Sequence, residues 1–363
     1  AMSGNITVST LGTSGNVTID NGTTALGIQG TVNGALDLTA GAAITDSGTL
    51  TVSGASDFTI DTGSNHITLG TAALTGAIGV ATSGTSNFTL DNTTTAVNLG
   101  TVGVTGNLSV TSGETITDSG VVTVGGTATF VTDVNDIDIV LDSNNAITGA
   151  VTFTTQTGGS NGADITFDNG STAMSLAAFT TEGNLTLQTD AAIALTGHTV
   201  NGNLAVTSAG AISQSAALTV SGTSSFTSTG NDNNITLSTD SNSLTGAVSA
   251  STAGSSGDIT IDNGTRALNI GTLTANGDLS IRGGAGITDS GVITVSGTSL
   301  FHSDVSGQVI TLDSTNAMTG AVSITHTGSA NVAIDNGTTA LNLGTVSVGQ
   351  NFEARSGGGI TDS

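Results

Sequence analysis

The sequence predicts an all-β protein, a right-handed parallel β-helix (β-solenoid) with about three strands in each coil. Two observations predict this class: sequence markers recur at a period of roughly 73 residues, and between them short runs of alternating apolar and polar residues are separated by Gly, Asn and Asp. A helical fold is disfavoured because no 11-residue window keeps an i, i+3, i+4 apolar face and β-branched residues are abundant. Right-handed coiling is expected from the general handedness of β-crossover-β connections.

Two markers define the repeat. An Asp-Asn turn begins at Asp20, Asp91, Asp168, Asp262 and Asp335, and an ITDSG-like motif begins at Ile44, Ile116, Ile212, Ile287 and Ile360. Both series have one long interval at the same place, which is explained by an extra segment, 184–202, that resembles the segment after it, 203–222. A segment that can be inserted whole is a structural unit, and it predicts one extra rung of the solenoid.

The repeats predict one continuous solenoid over 1–363. Its expected parts are a partial leading repeat, 1–15, full repeats at 16–86, 87–163, 164–257 (with the extra rung 184–202) and 258–330, and a partial repeat at 331–363. Each super-repeat divides into three predicted coils, of which the last is the longest, as in 298–330.

Two sets of residues test the predicted register of the coils. An aromatic residue is expected at the same inward vertex once per super-repeat, at Phe58, Phe130, Phe226 and Phe301. Arg282 and Arg355 occupy a column that holds Thr elsewhere, so this column is expected to face water.

Composition excludes several classes of function. The 363 residues carry 3 Lys and Arg against 27 Asp and Glu, a net charge of -24, so binding to nucleic acid or to anionic membranes is disfavoured. The absence of Cys removes disulfides, cysteine zinc sites and thiol catalysis. The sequence contains no run of about 18 apolar residues, the length that would predict a membrane helix. A secretion signal is expected outside this stretch of sequence.

Catalytic chemistry is not predicted. Asp residues fall in turns such as Asp20-Asn21-Gly22 and Asp46-Ser47-Gly48, where the side chain is expected to bond its own backbone. Equivalent Asp residues should lie about three coils apart, roughly 14 Å, too far for the carboxylate pair of a glycosidase, although non-equivalent turns could converge. The four histidines (His66, His198, His302 and His326) fall in different slots of the repeat, so we expect surface or turn positions and no shared ligand set.

Loosely bound calcium is the one cofactor that the sequence suggests. Asp133, Asp136 and Asp138 lie close together in VTDVNDIDIV, and carboxylates are hard ligands that suit this ion. The alternative is a solvated acidic edge that keeps the protein soluble.

The repeated patterns GNLSVTSGxxITDSGxxTVSG and DNGTTALNLGTV resemble the β-strand repeats of large bacterial surface proteins, the filamentous-haemagglutinin-like adhesins. This resemblance implies an exported stalk or fibre at the cell surface or outside the cell, with binding to a host or matrix surface through other modules. The expected function is a non-enzymatic structural rod whose partners are neighbouring repeats or like chains stacked end to end. The alternatives are a self-assembling filament subunit and a carbohydrate-binding or carbohydrate-cleaving β-helix.

Overall fold

The computed structural model describes residues 1–159 and 162–363, and within them the chain consists of strands, turns and bends with no helix. None of the described residues lies in a helix that could span a membrane. The chain forms two compact units, Ala1–Gly183 and Asn184–Ser363. In each unit every pair of neighbouring strands is parallel and the strands stack coil upon coil, so the predicted all-β solenoid is confirmed. Its right-handed coiling stays a prediction.

Within residues 1–159 and 162–183, the first unit contains twenty short strands. They are β1 (Asn5–Ser9), β2 (Val17–Asp20), β3 (Leu26–Val32), β4 (Leu36–Ala40), β5 (Ile44–Val52), β6 (Ser56–Ile60), β7 (Ile67–Leu69), β8 (Ala72–Leu74), β9 (Ala77–Ala81), β10 (Phe88–Asp91), β11 (Val97–Val104), β12 (Leu108–Ser112), β13 (Ile116–Asp118), β14 (Val122–Val124), β15 (Ala128–Asn135), β16 (Ile139–Leu141), β17 (Ala146–Ile147), β18 (Val151–Gln156), β19 (Ile165–Asp168) and β20 (Thr180–Thr181).

Two parallel sheets form the sides of the first unit. One runs through β1, β3, β5, β7, β10, β12, β15 and β18, with β8 beside β5. The other runs through β2, β4, β6, β9 and β11, then through the short pairs β13 and β14, β16 and β17, and ends at β19. A coil therefore has one continuous strand on one side and two short segments on the other, which confirms about three strands per coil.

The second unit contains the remaining strands. They are β21 (Leu185–Thr189), β22 (Ile193–Thr196), β23 (Thr199–Val200), β24 (Leu204–Ser208), β25 (Ile212–Ala216), β26 (Thr219–Val220), β27 (Ser224–Asn231), β28 (Ile235–Leu237), β29 (Ser243–Leu244), β30 (Val248–Ala253), β31 (Ile259–Asp262), β32 (Leu268–Ala275), β33 (Leu279–Arg282), β34 (Ile287–Asp289), β35 (Ile293–Val295), β36 (Ser299–Ser303), β37 (Ile310–Leu312), β38 (Ala317–Met318), β39 (Ala321–His326), β40 (Val332–Asp335), β41 (Leu341–Ser347), β42 (Phe352–Arg355) and β43 (Ile360–Asp362).

The second unit follows the same plan. One sheet runs from β22 through β25, β28, β31, β33, β36, β39 and β41 to β43. The facing sheet runs from β21 through β24, β27, β30 and β32, and then through β34 to β42. The extra segment 184–202 forms one coil of its own, because Leu185 pairs with Leu204 and Ile193 pairs with Ile212.

A super-repeat spans three and a half coils, so the prediction of three coils is wrong. Val17 pairs with Leu36, Leu36 with Ser56 and Ser56 with Ile78, which is three full coils on one side. The next Asp-Asn strand, β10, then lies in the opposite sheet. The error arose at the long predicted coil 298–330, which forms one and a half coils in which β36 pairs with β39 and β37 pairs with β40.

Equivalent residues of successive super-repeats consequently lie on opposite sides of their unit. Phe58 is in β6 and Phe130 is in β15, in different sheets, and Phe226 in β27 and Phe301 in β36 are separated in the same way. All four rings are fully buried, so the predicted core role is confirmed. The prediction of a single shared vertex is wrong, because an odd number of half-coils turns each super-repeat by half a revolution.

The core of each unit is a stack of aliphatic side chains. Inward positions alternate with outward Thr, Ser and Gly along each strand, as in β12, where Leu108 and Val110 are buried and Ser109 is half-buried. Successive inward residues stack on those of the next coil, for example Leu108 on Ala128. This burial is the main favourable term, because each coil alone is too small to hide its apolar side chains.

Candidate functional site

The Asp-Asn turn is stabilised by a hydrogen bond between the Asp side chain and the backbone of the turn. In each copy the Asp side chain accepts the backbone N–H two residues later, at 2.8 Å from Gly22 to Asp20 and at 2.7 Å from Gly264 to Asp262. This confirms the predicted turn role of Asp20 and its equivalents, because an Asp oxygen placed there satisfies a donor that would otherwise be left without a partner.

The Asn of the same turn is buried and ties two coils together. Asn263 Oδ1 accepts the N–H of Leu244 at 2.8 Å, while Asn263 Nδ2 donates to the carbonyl oxygens of Leu244 and Ala267. The same pattern holds for Asn92, Asn169 and Asn336. A buried amide with its donors and acceptor satisfied fixes the register of the adjoining coils.

The Asp of the ITDSG motif acts across coils, and the prediction that it bonds its own turn is wrong. Asp46 accepts the N–H groups of Gly70 and Thr71, which belong to the next coil. Asp118 accepts the side-chain amide of Asn145 at 2.7 Å and the N–H of Asp142. Burial raises the pKa of the Asp118 carboxyl, against the lowering effect of the Asn145 hydrogen bond.

The residue that immediately precedes a strand forms a ladder of hydrogen bonds along the axis in several coils. Asn87 Oδ1 accepts the N–H of Asn107, and Asn107 Oδ1 accepts the N–H of Thr127, at 2.8 and 2.9 Å. Asp138 uses the same slot to accept the N–H of Asp164. His66 fills the slot in another coil, where its Nδ1 lies 3.1 Å from the Asn87 nitrogen and accepts that N–H.

The calcium candidates are engaged with the backbone of the following coil or lie in solvent. Asp138 Oδ1 accepts the N–H of Asp164, Asp136 Oδ1 accepts the N–H of Gly162 at 2.9 Å, and Asp133 is exposed. In residues 1–159 and 162–363, no three His, Cys, Asp or Glu side chains converge in a group that could hold a metal ion. Calcium binding by Asp133, Asp136 and Asp138 stays a prediction.

Two of the histidines are buried, which corrects the expectation of surface positions. His198 and His326 are 1% and 5% exposed. Burial lowers the pKa of His198 to about 4, so this side chain is neutral at physiological pH. The repeat pattern did not predict this burial, because each histidine replaces a residue that faces inward in a neighbouring coil, Leu218 in the case of His198.

A charged network of side chains on the outer surface of the second unit was not predicted. Arg282 lies 2.8 Å from Asp262 on the preceding coil and 2.6 Å from Asp304 on the following one, and His302 contacts the other oxygen of Asp304. Burial opposes the ionisation of Asp304, but hydrogen bonds from His302 and Arg282 outweigh it and lower its pKa. The Arg282 side chain is 41% exposed, which confirms that its column faces water.

A polar groove of about 300 Å³ lies on an outer corner of the second unit. It is lined by Ser255, Ser256, Asp258, Asn276, Gly277, Asp278, Ser296 and Gly297. Asp258 and Asp278 belong to the axial ladder, since Asp258 Oδ1 accepts the N–H of Asp278 at 2.8 Å and Asp278 Oδ1 accepts the N–H of Thr298 at 2.7 Å. Their Oδ2 atoms take part in no hydrogen bond within the described part of the chain.

The rim of this groove is set by Asp232. Its Oδ1 accepts the N–H groups of Ser255 and Ser256 at 2.7 and 2.9 Å, and these hydrogen bonds, the first from Ser255, lower the pKa of Asp232. Gly277 and Gly297 stack closely on the preceding coil in this groove. A Cβ atom at Gly277 would lie 2.3 Å from Asp258 Oδ1.

The groove brings two carboxylates within one coil of each other. The three-coil separation expected for acidic residues applied only to equivalent turns, whereas Asp258 and Asp278 are neighbours in the ladder, about 4.8 Å apart along the axis by the spacing of parallel strands. Sequence reasoning missed this pair because it assigned Asp to turns and Asn to strand openings. The sequence does contain a signal for this pair, because Asp258 and Asp278 stand directly before two successive strands, where other repeats have Asn.

Comparison with known proteins identifies the repeat. The chain matches a family model described as "Repeats of unknown function (DUF5649)" over residues 14–81, 85–154, 182–251, 256–325 and 329–363. No curated protein and no solved structure matches the chain. The matched segments cover well over half of the sequence, and the length of the first four, about 70 residues each, agrees with the three-and-a-half-coil super-repeat of the structure. The chain belongs to the family of Repeats of unknown function (DUF5649).

Proposed function

We propose that this chain is a structural, non-catalytic part of an exported bacterial surface protein and serves as an adhesin stalk or extracellular fibre. The observation that carries the proposal is the double ladder along the axis of each unit. Backbone hydrogen bonds join every coil to the next, and side-chain hydrogen bonds run parallel to them at the strand openings and the Asp-Asn turns.

This arrangement suits a load-bearing role. Force along the axis is shared by several hydrogen bonds per coil, and the stacked aliphatic core resists separation of the coils. The absence of Pro keeps every ladder donor available. With 3 Lys and Arg in 363 residues, trypsin-like proteases have few sites, which suits life outside the cell.

The resemblance to filamentous-haemagglutinin-like adhesins supports the same function and the same location, at the cell surface or beyond it. The partners proposed for the chain are neighbouring repeats or like chains, with host or matrix binding supplied by other modules. The net charge of -24 disfavours association in low salt, because like charges repel, and screening by salt should relieve this repulsion.

Immunogold electron microscopy of intact producing cells tests this proposal. An antibody against the repeats should label fibres or stalks on the outer surface of unpermeabilised cells, and protease added outside should remove the label. Label that appears only after permeabilisation would contradict an exported stalk.

A further inference from the structure

We infer that the Asp-Asn-Gly turns are latent deamidation sites, which the fold keeps unreactive for as long as the turns stay closed. The sites are the Asn residues at the centre of four of the five Asp-Asn turns, Asn21, Asn169, Asn263 and Asn336. The inference is independent of the structural role proposed above, and the modification needs water as its only co-reactant.

The turn itself places a reactive dipeptide at each of these sites. Its third residue has a positive φ, 62° at Gly264 and 55° at Gly337, which favours glycine. Its second residue must donate as well as accept hydrogen bonds, as Asn263 does, and an ionised Asp cannot donate. Asn-Gly is prone to deamidation because glycine has no side chain to hinder attack by its backbone nitrogen. In the fifth turn Thr93, with a φ of 49°, shields this nitrogen with a branched side chain.

Deamidation of such a dipeptide is an intramolecular reaction. The Gly337 nitrogen loses its proton to hydroxide and attacks Asn336 Cγ, the bond from Cγ to Nδ2 breaks, and ammonia leaves with a proton taken from water. Water then opens the succinimide ring at either carbonyl group and gives Asp or isoAsp. Both products place a carboxylate where the fold buries an amide, and isoAsp also lengthens the main chain.

The structure restrains both reacting groups. Asp335 Oδ1 accepts the Gly337 N–H at 2.8 Å, and a carboxylate beside this nitrogen disfavours the anion that must form there. Asn336 is fully buried, accepts the N–H of Met318 at 2.8 Å, and donates to the carbonyl oxygens of Met318 and Ala340. The amide is thus fixed by its own hydrogen bonds, and burial keeps water from it.

Opening of the turn is therefore the step that makes Asn336 reactive. An opened turn exposes the amide to water and releases the Gly337 N–H from Asp335. The product cannot return to Asn, so the modified fraction records the accumulated time that the turn has spent open. A carboxylate at this position loses the bonds that Asn336 donates, so a turn that has reacted once closes less well.

Asn276 and Gly277 form an Asn-Gly dipeptide outside these turns, and it is held less firmly. Asn276 is half-buried, its Nδ2 donates to the carbonyl oxygen of Thr252 at 2.7 Å, and its Oδ1 accepts no hydrogen bond in the described part of the chain. The Gly277 N–H donates at 2.8 Å to the carbonyl oxygen of Gly257, which carries no formal charge. We expect Asn276 to deamidate faster than Asn336 in the folded chain.

Peptide mapping by mass spectrometry tests the inference on the full chain, aged in mildly alkaline buffer at physiological temperature. Peptic peptides report each Asn-Gly site separately, and electron-transfer fragmentation distinguishes isoAsp from Asp. Asn336 should deamidate at least about a hundredfold more slowly in the folded chain than in the same chain unfolded in urea, and Asn276 should lie between these rates. Equal rates at Asn336 in the folded and unfolded chains would overturn the inference, as would a folded chain in which Asn336 reacts as fast as Asn276.

Asp335→Ala tests the part played by the carboxylate. It removes the acceptor of the Gly337 N–H and should raise the rate at Asn336 about tenfold or more, because a hydrogen bond to a charged group is lost and the turn opens more often. Asp335→Asn keeps a neutral acceptor and should restore part of the protection. Asn263 in the same molecule, whose turn is unchanged, is the internal reference.

Asp313→Ala is the matched control, since it removes the same charge. Asp313 is exposed, directly follows the strand that pairs with the strand of Asp335, and its carboxylate accepts no hydrogen bond in the described part of the chain. This variant should leave the rate at Asn336 unchanged. The protective role of Asp335 is disproved if Asp335→Ala leaves or lowers the rate at Asn336, or if Asp313→Ala raises it equally.

Discussion

Gln214 and Asn242 exchange two hydrogen bonds between their side-chain amides, each of 2.9 Å, across successive coils. In the other super-repeats an Asp stands where Gln214 does, and Asp118 and Asp289 accept the amides of Asn145 and Asn316 at 2.7 Å. The partner Asn also accepts a strand N–H in each case, that of Leu218 for Asn242. The coil-to-coil link is thus maintained although the residue changes.

Gln214→Ala should destabilise the coils on either side by about 1 to 2 kcal/mol, because two hydrogen bonds of a buried amide are lost. Hydrogen exchange of residues 212–244 measures the local effect. Gln214→Asp is the control, since it reproduces the Asp–Asn pair of the neighbouring super-repeats and should retain most of the protection. Equal exchange in all three proteins would contradict the proposed link.

Asn263→Ala should be severely destabilising. It leaves the N–H and the C=O of Leu244 and the C=O of Ala267 without their partner, and each unsatisfied buried group costs about 1 to 3 kcal/mol. Asn263→Asp keeps the acceptor but loses the donors, so it should also be destabilised. Urea unfolding of both variants provides the measurement, and an Asp variant as stable as the parent chain would show that the donated bonds have no role.

Ser56→Ala, Ser224→Ala and Ser299→Ala should be neutral or stabilising by up to about 1 kcal/mol each. Their hydroxyl oxygens are buried without a hydrogen-bond partner, and removing an unsatisfied polar group relieves its desolvation cost. Ala128 holds the equivalent position in another super-repeat and is fully buried. The midpoint of thermal unfolding checks this prediction, which a clear loss of stability would refute.

Glycine is required at the stacking corner but not on the neighbouring strand. A Cβ at Gly126 would lie 2.2 Å from Asn107 Oδ1 and 2.7 Å from the Gly106 carbonyl oxygen, whereas a Cβ at Gly103 has no neighbour closer than 3.7 Å. Gly126→Ala should therefore cost about 3 kcal/mol through overpacking, and Gly103→Ala should be tolerated. Thermal unfolding of the two variants distinguishes them, and similar midpoints would contradict the close stacking.

Acid should loosen the coil that contains His198. The pKa of this buried side chain is lowered from 6.5 to about 4, so the unfolded state binds a proton first as the pH falls. The stability is present above pH 6.5, declines between pH 6.5 and 4, and falls by about 3 kcal/mol in total. Hydrogen exchange of residues 193–220 at several pH values measures the decline.

His198→Leu is the control for the pH effect, because Leu218 occupies the same position one coil later and is fully buried. This variant should lose most of the pH dependence of residues 193–220. A pH profile that is the same with and without the histidine would assign the effect to other groups.

The sequence predicted the fold class from its periodicity, because alternation along a strand and recurrence of turn residues are local properties. It did not predict the half-coil, because the boundary between coils in 298–330 depends on which strand lies beneath, and pairing of β36 with β39 is a long-range contact. Phe58 and Phe130 were predicted as core residues, and both are buried. The sheet in which each of them lies depends on the number of coils per super-repeat, which the sequence did not predict.

Side-chain partners were predictable only within a turn. The bond from Gly22 to Asp20 spans two residues and follows from the turn motif. The bond from Gly70 to Asp46 joins residues 24 positions apart, and the groove at Asp258 and Asp278 needs the coil register as well. The burial of His198 was hidden because its equivalent in the next coil is Leu and not His.

The distance between Thr18 and Thr89 tests the three-and-a-half-coil super-repeat most directly. Both residues are exposed at equivalent positions, in β2 and β10 of the first unit, and the chain has no Cys, so spin labels on Thr18→Cys and Thr89→Cys are specific. Pulsed electron–electron double resonance should give a distance of about 20 Å or more between the two labels. This value combines an axial separation of three and a half coils, each about 4.8 Å, with the separation of about 10 Å between the two sheets. A distance near 14 Å, as for three coils on one face, would contradict the architecture described here.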